Sequence, residues 1–345
     1  KYIKKENGGV ATALNMGIRE SKGDFISWLS HDDVYYPNKI EEQLTYIKKF
    51  GDAVDIVFSD VEYIDKYSKT ISKTNFGQVH ELKNLNHGVY PVLKGITNGC
   101  AFLIRRRVFD NIGFFDEGLI TTNDYDLWFR VFRVCEARYI PQVLIKYRLH
   151  DKQGTNTSPI YIKECNILWI NFLKKLTKKE ILFFEPSLFT FYFNMSEQMR
   201  SSSFLEASKY ARCLAQVEYE RQGPIVSIIM PCFNTGQFLS KSIESILNQT
   251  LVDFELIIID DASSDNSLEI INEYKKRDFR IRIIKNKQNK GISACMNIGI
   301  KNAKGRYFTR MDSDDISLIE RIEKQVNFLN TRKDFGLCSV NISTI

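Results

Sequence analysis

The residues best suited to chemistry in this chain are aspartates in short strings, each placed after an apolar run. Asp260 and Asp261 follow FELIII, Asp312, Asp314 and Asp315 follow GRYFTRM, and Asp32 and Asp33 follow GDFISWLSH. Carboxylates crowded together repel one another unless a cation or hydrogen-bond donors offset their charges. Hard oxygen ligands at such short spacing suit Mg2+ or Mn2+ bridging a diphosphate. A single aspartate after a strand reads as readily as a helix cap. Two acidic strings after two separate strands favour a site for a metal and a nucleotide.

Two of these strings belong to a duplication. NGGVATALNMGIRESKGDFISWLSHDDV begins at Asn7, and NKGISACMNIGIKNAKGRYFTRMDSDDI begins at Asn289, and the two align without a gap. Asn15, Gly17, Ile18, Asp32 and Asp33 recur as Asn297, Gly299, Ile300, Asp314 and Asp315. So wide a spacing lies far beyond the roughly 20–50 residues of a solenoid repeat, and it implies two copies of a domain. The copies differ at one informative place. Asp312-Ser313-Asp314-Asp315 of the second stands as Ser30-His31-Asp32-Asp33 in the first, so the leading carboxylate is missing there.

The elements that must hold these residues are legible from pattern. VSIIMP (226–231) and FELIIIDDAS (254–263) are continuous apolar runs, as strands buried on both faces require. Between them, FLSKSIESILNQ places Phe238, Leu239, Ile243, Ile246 and Leu247 on one helical face. RIRIIKN, ISACMNIGIKNA and GRYFTRMDSDD continue as strand, helix and strand. This alternation predicts a parallel, Rossmann-like sheet. Ligands in such sheets sit beyond the carboxyl ends of the strands, which selects Pro231–Asn234, Asp260–Asp261 and Asp312–Asp315. In the first copy IVFSDVEYID and CAFLIRR read as later strands, and DYDLWFRVFRV as an amphipathic helix. The expected organisation is a partial α/β domain over 1–158, a helical linker over 159–222 and a second partial α/β domain over 223–345. Aromatics around FFEPSLFTFYF in the linker are expected to be packing core.

Composition narrows the classes. A chain of 345 residues has room for two domains, and its 43% hydrophobic content supports real cores. A net charge of +6 without a basic run gives no nucleic-acid surface, while weak attraction to anionic lipid stays open. The seven cysteines form no CxxC pair, the pattern of reduced thiols in a cytosolic protein rather than of a disulfide framework or a zinc site. No apolar run reaches the roughly 18 residues that span a bilayer. An opening in mid-pattern at Lys1 is expected of a piece cut from a longer polypeptide. The first copy lacks an opening strand-helix-strand, and the second stops soon after its acidic motif.

The ordered set PIVSIIMPCFNTGQFLSKSIESILNQTLVDFELIIIDDASSDNS, NKGISACMNIGI and GRYFTRMDSDD resembles the donor half of a family 2 glycosyltransferase with the GT-A fold. The first copy resembles the same family from its middle onwards. SHDDVYYPNKIEEQL matches the metal motif and its helix, NGCAFLIRRRVFDNIGFFDEGLITTNDYDLWFRV the acceptor half, and YRLH its close. The resemblance implies inverting transfer of a sugar from a nucleotide diphosphate, usually a UDP-sugar, to a hydroxyl of a glycan or lipid-linked acceptor. It further implies Mn2+ or Mg2+, and work on bacterial surface polysaccharide in the cytoplasm at the inner membrane face. By match, Asp261 accepts a hydrogen bond from the base, and Pro231 and Phe233 line that pocket beside Asn234 and Asp260. Asp312 and Asp314 bracket ribose and metal, with Asp315 close by. In the first copy Asp32 and Asp33 are left to hold the cation, and His150 is either a further ligand or a surface histidine.

The family's usual Glu-Asp pair stands here as Asn123-Asp124. Asp124 keeps the position that deprotonates the acceptor hydroxyl, and it also reads as a helix cap; the two roles are compatible. Asn123 removes a neighbouring negative charge, so the pKa of Asp124 is expected to be less elevated than in a Glu-Asp pair. The alternative is a catalytically incomplete segment that binds nucleotide-sugar or serves as a scaffold. A nucleotidyltransferase would need a Gly-rich loop that MPCFNTGQ does not provide. A phosphatase would carry its nucleophilic carboxylate where this chain has Pro231 and Cys232.

Overall fold

A computed structural model describes residues 2–151, 153 and 158–343. The chain divides into two compact units, Lys1–Glu185 with Gln198–Lys209, and Pro186–Glu197 with Tyr210–Ile345, so that the helical stretch 161–222 is shared between them.

The first unit is built on six strands: β1 (Phe25–Ile26), β2 (Val34–Tyr35), β3 (Ile56–Ile64), β4 (Thr70–Lys73), β5 (Leu103–Arg105) and β6 (Ala137–Arg148). Their order is β1-β5-β3-β6-β2, with β4 also on β3. Only β3 and β6 run parallel; the remaining pairs are antiparallel. β3 lies at the centre because IVFSDVEYI is buried along nearly its whole length. The register with β6 shifts between Ser59 and Val61, opposite Pro141, whose missing N–H is tolerated at such an irregularity. CAFLIRR is a strand only from Leu103. Before it, Gly99–Ala101 makes a single 3-10 turn capped by the Asn98 side chain, which accepts from the Cys100 N–H. Gly99 is required there: a Cβ would meet Trp28 Cζ2 at 2.5 Å. Trp28 in turn stacks on Trp128, with centroids 5.3 Å apart, and so joins the acidic-motif strand to the helix Asn123–Phe132.

The second unit has four strands: β7 (Val226–Cys232), β8 (Phe254–Asp260), β9 (Ile281–Lys285) and β10 (Tyr307–Arg310). They run in the order β10-β7-β8-β9 and all are parallel, as the sequence pattern requires. The helices Gly236–Leu247, Ser267–Arg277 and Ile292–Asn302 are the crossovers. One sheet face packs Ile228, Met230 and Ile258 on Leu239, Ile243 and Ile271; the other packs Ile229, Ile257 and Ile259 on Cys295. Gly299 is forced by this second contact, since a Cβ would lie 2.3 Å from Ile229 Cγ2. Phe189 and Phe193 of the aromatic-rich helix are buried with Tyr219 and Phe279, as packing core.

Candidate functional site

In the second unit the strand order reverses at β7, and the gap between the carboxyl ends of β7 and β10 is where doubly wound sheets hold ligands. A cleft of about 400 Å³ opens there, lined by Pro231, Phe233, Asp261, Cys295, Asp312 and Asp314 among others. Asp261 is buried and directly follows β8. It accepts from Asn286 Nδ2 at 2.7 Å, from the Lys290 N–H at 3.0 Å and from the Gly291 N–H at 2.8 Å. Burial opposes its charge, but these donors outweigh it and hold the carboxyl below its ordinary pKa. Asp260, also buried, accepts from the Ser263 N–H at 3.3 Å. Phe233 leaves its ring 46% exposed at the cleft.

Asn234 has φ +54, a conformation that Asn tolerates better than most residues. Its carboxamide oxygen accepts from the N–H groups of Ser264 at 2.8 Å and Asp265 at 3.3 Å. That oxygen is therefore committed to tying the loop after β7 to the loop after β8.

The acidic turn after β10 is anchored at its first two residues. Arg310 grips both oxygens of Asp312 at 2.6 and 2.8 Å, and Ser242 Oγ donates to the Asp312 carbonyl at 3.0 Å. Ser313 is buried and bonds Thr235 Oγ1 at 3.0 Å. Asp314 and Asp315 point out to solvent. Any cation using Asp312 must compete with a bidentate guanidinium.

In the first unit β6 carries its end past the acidic turn, and the expected residues Asp32, Asp33 and His150 come together. His150 Nε2 lies 2.9 Å from Asp32 Oδ2. Burial raises the Asp32 pKa, but the bond with His150 and nearby positive charge bring the net shift below the ordinary value. Asp33 is buried and accepts from the Arg148 N–H at 3.0 Å through Oδ1, while Oδ2 is buried with no hydrogen-bond partner. Burial, with the charge of Asp32 adding to it, pushes the Asp33 carboxyl up. A carboxylate oxygen without a partner, a second carboxylate and an imidazole are donor types that a divalent cation takes. Among the described residues, however, no three His, Cys, Asp or Glu side chains are gathered closely enough to hold a metal. His31 is exposed.

Asp124 is the second residue of the helix Asn123–Phe132, after Thr122 at the N-cap, and its Oδ1 accepts from the Tyr125 N–H at 2.8 Å. The Asn123 amide folds back on the Leu119 carbonyl at 3.2 Å. Even without a neighbouring Glu, burial pushes Asp124 up to about 6, against the pull of the Tyr125 N–H. Tyrosines surround it. Tyr125 and Tyr161 lie within range of its charge, Tyr161 also neighbours Tyr147, and Tyr147 is within range of both Asp32 and Asp33. Tyr63 packs edge-on against Tyr147 at 5.9 Å.

Two site residues escape a reading for carboxylates alone: Lys39 and Arg321, both buried or half-buried behind the acidic turns. The offset that carries Asp32 onto Asp314 also carries Lys39 onto Arg321, so the duplication held the signal.

A parallel sheet with a cleft at its switch point, and carboxylates at the strand ends, defines an open, doubly wound α/β fold. The family described as Glycosyl transferase family 2 matches residues 1–113 and 227–343. The chain belongs to that family. An uncharacterized glycosyltransferase of Rickettsia felis is 39% identical over 331 residues, covering 95% of this chain and 54% of that protein. One from Rickettsia bellii is 38% identical over 329 residues, covering 95% of this chain and 47% of its own length. The chain thus spans about half the length of these curated relatives. Another, from Rickettsia typhi, is 38% identical over 66% of this chain and 71% of that protein. Partial likenesses to solved structures include S. aureus TarS 1-349 in complex with UDP, at TM-score 0.30 and 24% identity, covering 31% of this chain and 32% of that one. The Pyrobaculum calidifontis mannosyltransferase PcManGT, in complex with GDP-Man and Mn2+, gives TM-score 0.30 at 18% identity, covering 31% of this chain and 32% of that one. Among the described residues no helix is long and apolar enough to cross a membrane.

Proposed function

We propose that this protein is an inverting glycosyltransferase moving a sugar from a nucleotide diphosphate, a UDP-sugar, to a hydroxyl of a glycan or lipid-linked acceptor in bacterial surface polysaccharide synthesis. The observation that carries the reading is Asp124, a carboxylate raised to about 6 by burial in the same unit as the acidic pair. A base of that strength is largely ionised at neutral pH yet still basic enough to take a proton from an attacking hydroxyl. Asp124 accepts that proton as the acceptor oxygen bonds to the anomeric carbon, and the nucleotide diphosphate leaves with the electrons of the broken bond. Mn2+ or Mg2+, when bound, offsets charge on the departing diphosphate. Asp32, Asp33 and His150 would hold the ion in the first unit. In the second unit Asp314 and Asp315 would do so, with Asp312 toward the ribose. Pro231 and Phe233 would pack the base over Asp261, and Asn234 and Asp260 would keep the two loops in place. The free cysteines fit a reducing cytoplasm, and contact with the inner membrane face would be peripheral.

The test is a panel of nucleotide sugars titrated calorimetrically with and without Mn2+, followed by transfer assays. Metal-assisted uptake that Asp314→Ala weakens, and transfer that Asp124→Asn abolishes, are the expected results. If no sugar nucleotide binds with either ion, the enzymatic reading fails. Transfer that persists in Asp124→Asn would assign the first unit to scaffolding.

A further inference from the structure

We propose that Lys39 and Arg321 are positioning residues: in each unit a basic side chain on the helix after the acidic turn reaches back to a hydroxyl on, or one residue past, the strand before it and locks the turn's carboxylates in place. Lys39 is the first residue of the helix Lys39–Phe50, and Arg321 is the first of the helix Arg321–Thr331. Lys39 is fully buried, and its Nζ donates to Ser27 Oγ at 3.0 Å, Gln43 Oε1 at 2.8 Å and the Phe102 carbonyl at 3.3 Å. When Lys39 is protonated those acceptors use all three ammonium hydrogens, and none of them is charged. The same group lies 4.2 Å over the ring of Tyr35. In the second unit Arg321 Nη2 donates to Thr309 Oγ1 at 3.2 Å and the Arg310 carbonyl at 3.1 Å. Thr309 is the duplicate of Ser27. Two cations of different shape therefore seek a hydroxyl at one and the same repeat position.

Such an arrangement is costly. Burying the Lys39 ammonium without a carboxylate partner is strongly unfavourable, and Arg321, half-buried and within range of the Asp315 charge, leaves its Nε buried with no hydrogen-bond partner. An apolar side chain would fill either place at less cost, so packing alone does not explain a cation in both copies. What the cation holds is specific. Tyr35, at one end of the loop bearing Asp32 and Asp33, bonds Ser27 Oγ at 2.8 Å and the Trp28 carbonyl at the loop's other end. Gln43, which Lys39 orients, donates to the Ala101 carbonyl at 2.8 Å, and the neighbouring Cys100 Sγ accepts from the Ser30 N–H at 3.3 Å. Lys39 thus fastens both ends of the acidic loop, and the 99–102 segment, to one helix start. This role deepens the glycosyltransferase reading and rests on it.

Tryptophan fluorescence gives a readout local to the first unit, because the chain's three tryptophans, Trp28, Trp128 and Trp169, all lie there. Mn2+ would be titrated into the whole chain and into its Lys39→Met and Lys39→Arg variants, with circular dichroism to confirm folding. The expected result is a Mn2+ midpoint raised at least about 10-fold in Lys39→Met and restored to within about 3-fold by Lys39→Arg. A Lys39→Met protein that titrates like the parent overturns the proposal. So does failure of the arginine variant to recover. If Lys39→Met does not fold, Ser27→Ala, which removes the hydroxyl alone, carries the same expectation at about 3-fold, and no change there overturns the proposal. A parent protein whose tryptophans do not respond to Mn2+ overturns the proposal, whereas failure of every sugar nucleotide to bind the whole chain in the calorimetric titration refutes the glycosyltransferase reading itself.

Discussion

Replacing Asp124 by Asn should make the first unit more stable while removing its chemistry. The carboxyl rises from 3.8 to about 6 in the folded protein, with burial the chief cause. A raised acid binds its proton in the folded state where the unfolded chain has already released it. Stability therefore falls as pH climbs from about 4 through 6, and the full penalty is present at neutral pH. Two pKa units correspond to about 3 kcal/mol, and the residue's partial contact with solvent lowers the expectation to about 2 kcal/mol. Asn keeps the oxygen that accepts the Tyr125 N–H, so no hydrogen bond is lost in the exchange. Urea unfolding followed by tryptophan fluorescence is a suitable assay, since Trp128 sits on the same helix. The variant should be about 2 kcal/mol more stable at pH 7.5, equal to the parent near pH 4, and reduced in sugar transfer by about 10²–10⁴-fold. A variant that is less stable at pH 7.5, or whose stability difference does not vary with pH, would refute the argument that burial strains this carboxylate.

Gly99→Ala should destabilise the first unit by about 1–3 kcal/mol in the same unfolding assay, because the new methyl would sit 2.5 Å from Trp28 Cζ2 and unseat the Trp28–Trp128 stack. Lys39 gives the opposite pH signature to Asp124. Its pKa falls from 10.5 to about 7 through burial, so the unfolded chain holds the extra proton between those values and stability rises with pH across that window. Lys39→Met should flatten the rise, measured as unfolding free energy from pH 7 to 10. In the second unit, Arg280 is buried between the rings of Phe193 at 4.4 Å and Phe254 at 4.2 Å and pairs with Asp278 at 2.7 Å. Arg280→Met leaves the Asp278 carboxylate buried with its main partner gone and should cost about 3–5 kcal/mol by urea unfolding.

Much of the second unit was legible in the chain. Strands buried on both faces must read as unbroken apolar runs, so VSIIMP and FELIIID announce a parallel sheet, and the residues ending those runs announce the cleft. The acidic turns were legible for the same reason, and the duplication showed that each follows a strand and precedes a helix. Local pattern carries that information because strand and helix periodicities are set by near neighbours.

Partners distant in sequence obey no such rule. Asn15 and Asn297 are duplicates, yet Asn15 is buried by bonds to Phe115, 100 residues away, whereas Asn297 is exposed. Nothing local predicts that the Asn234 oxygen is spent on a loop 30 residues away, or that Asp33 keeps one oxygen orphaned. Composition and spacing decided which carboxylates gather at the strand ends. Which of them remain available to a ligand was decided by desolvation and by donors that only the folded chain brings within reach.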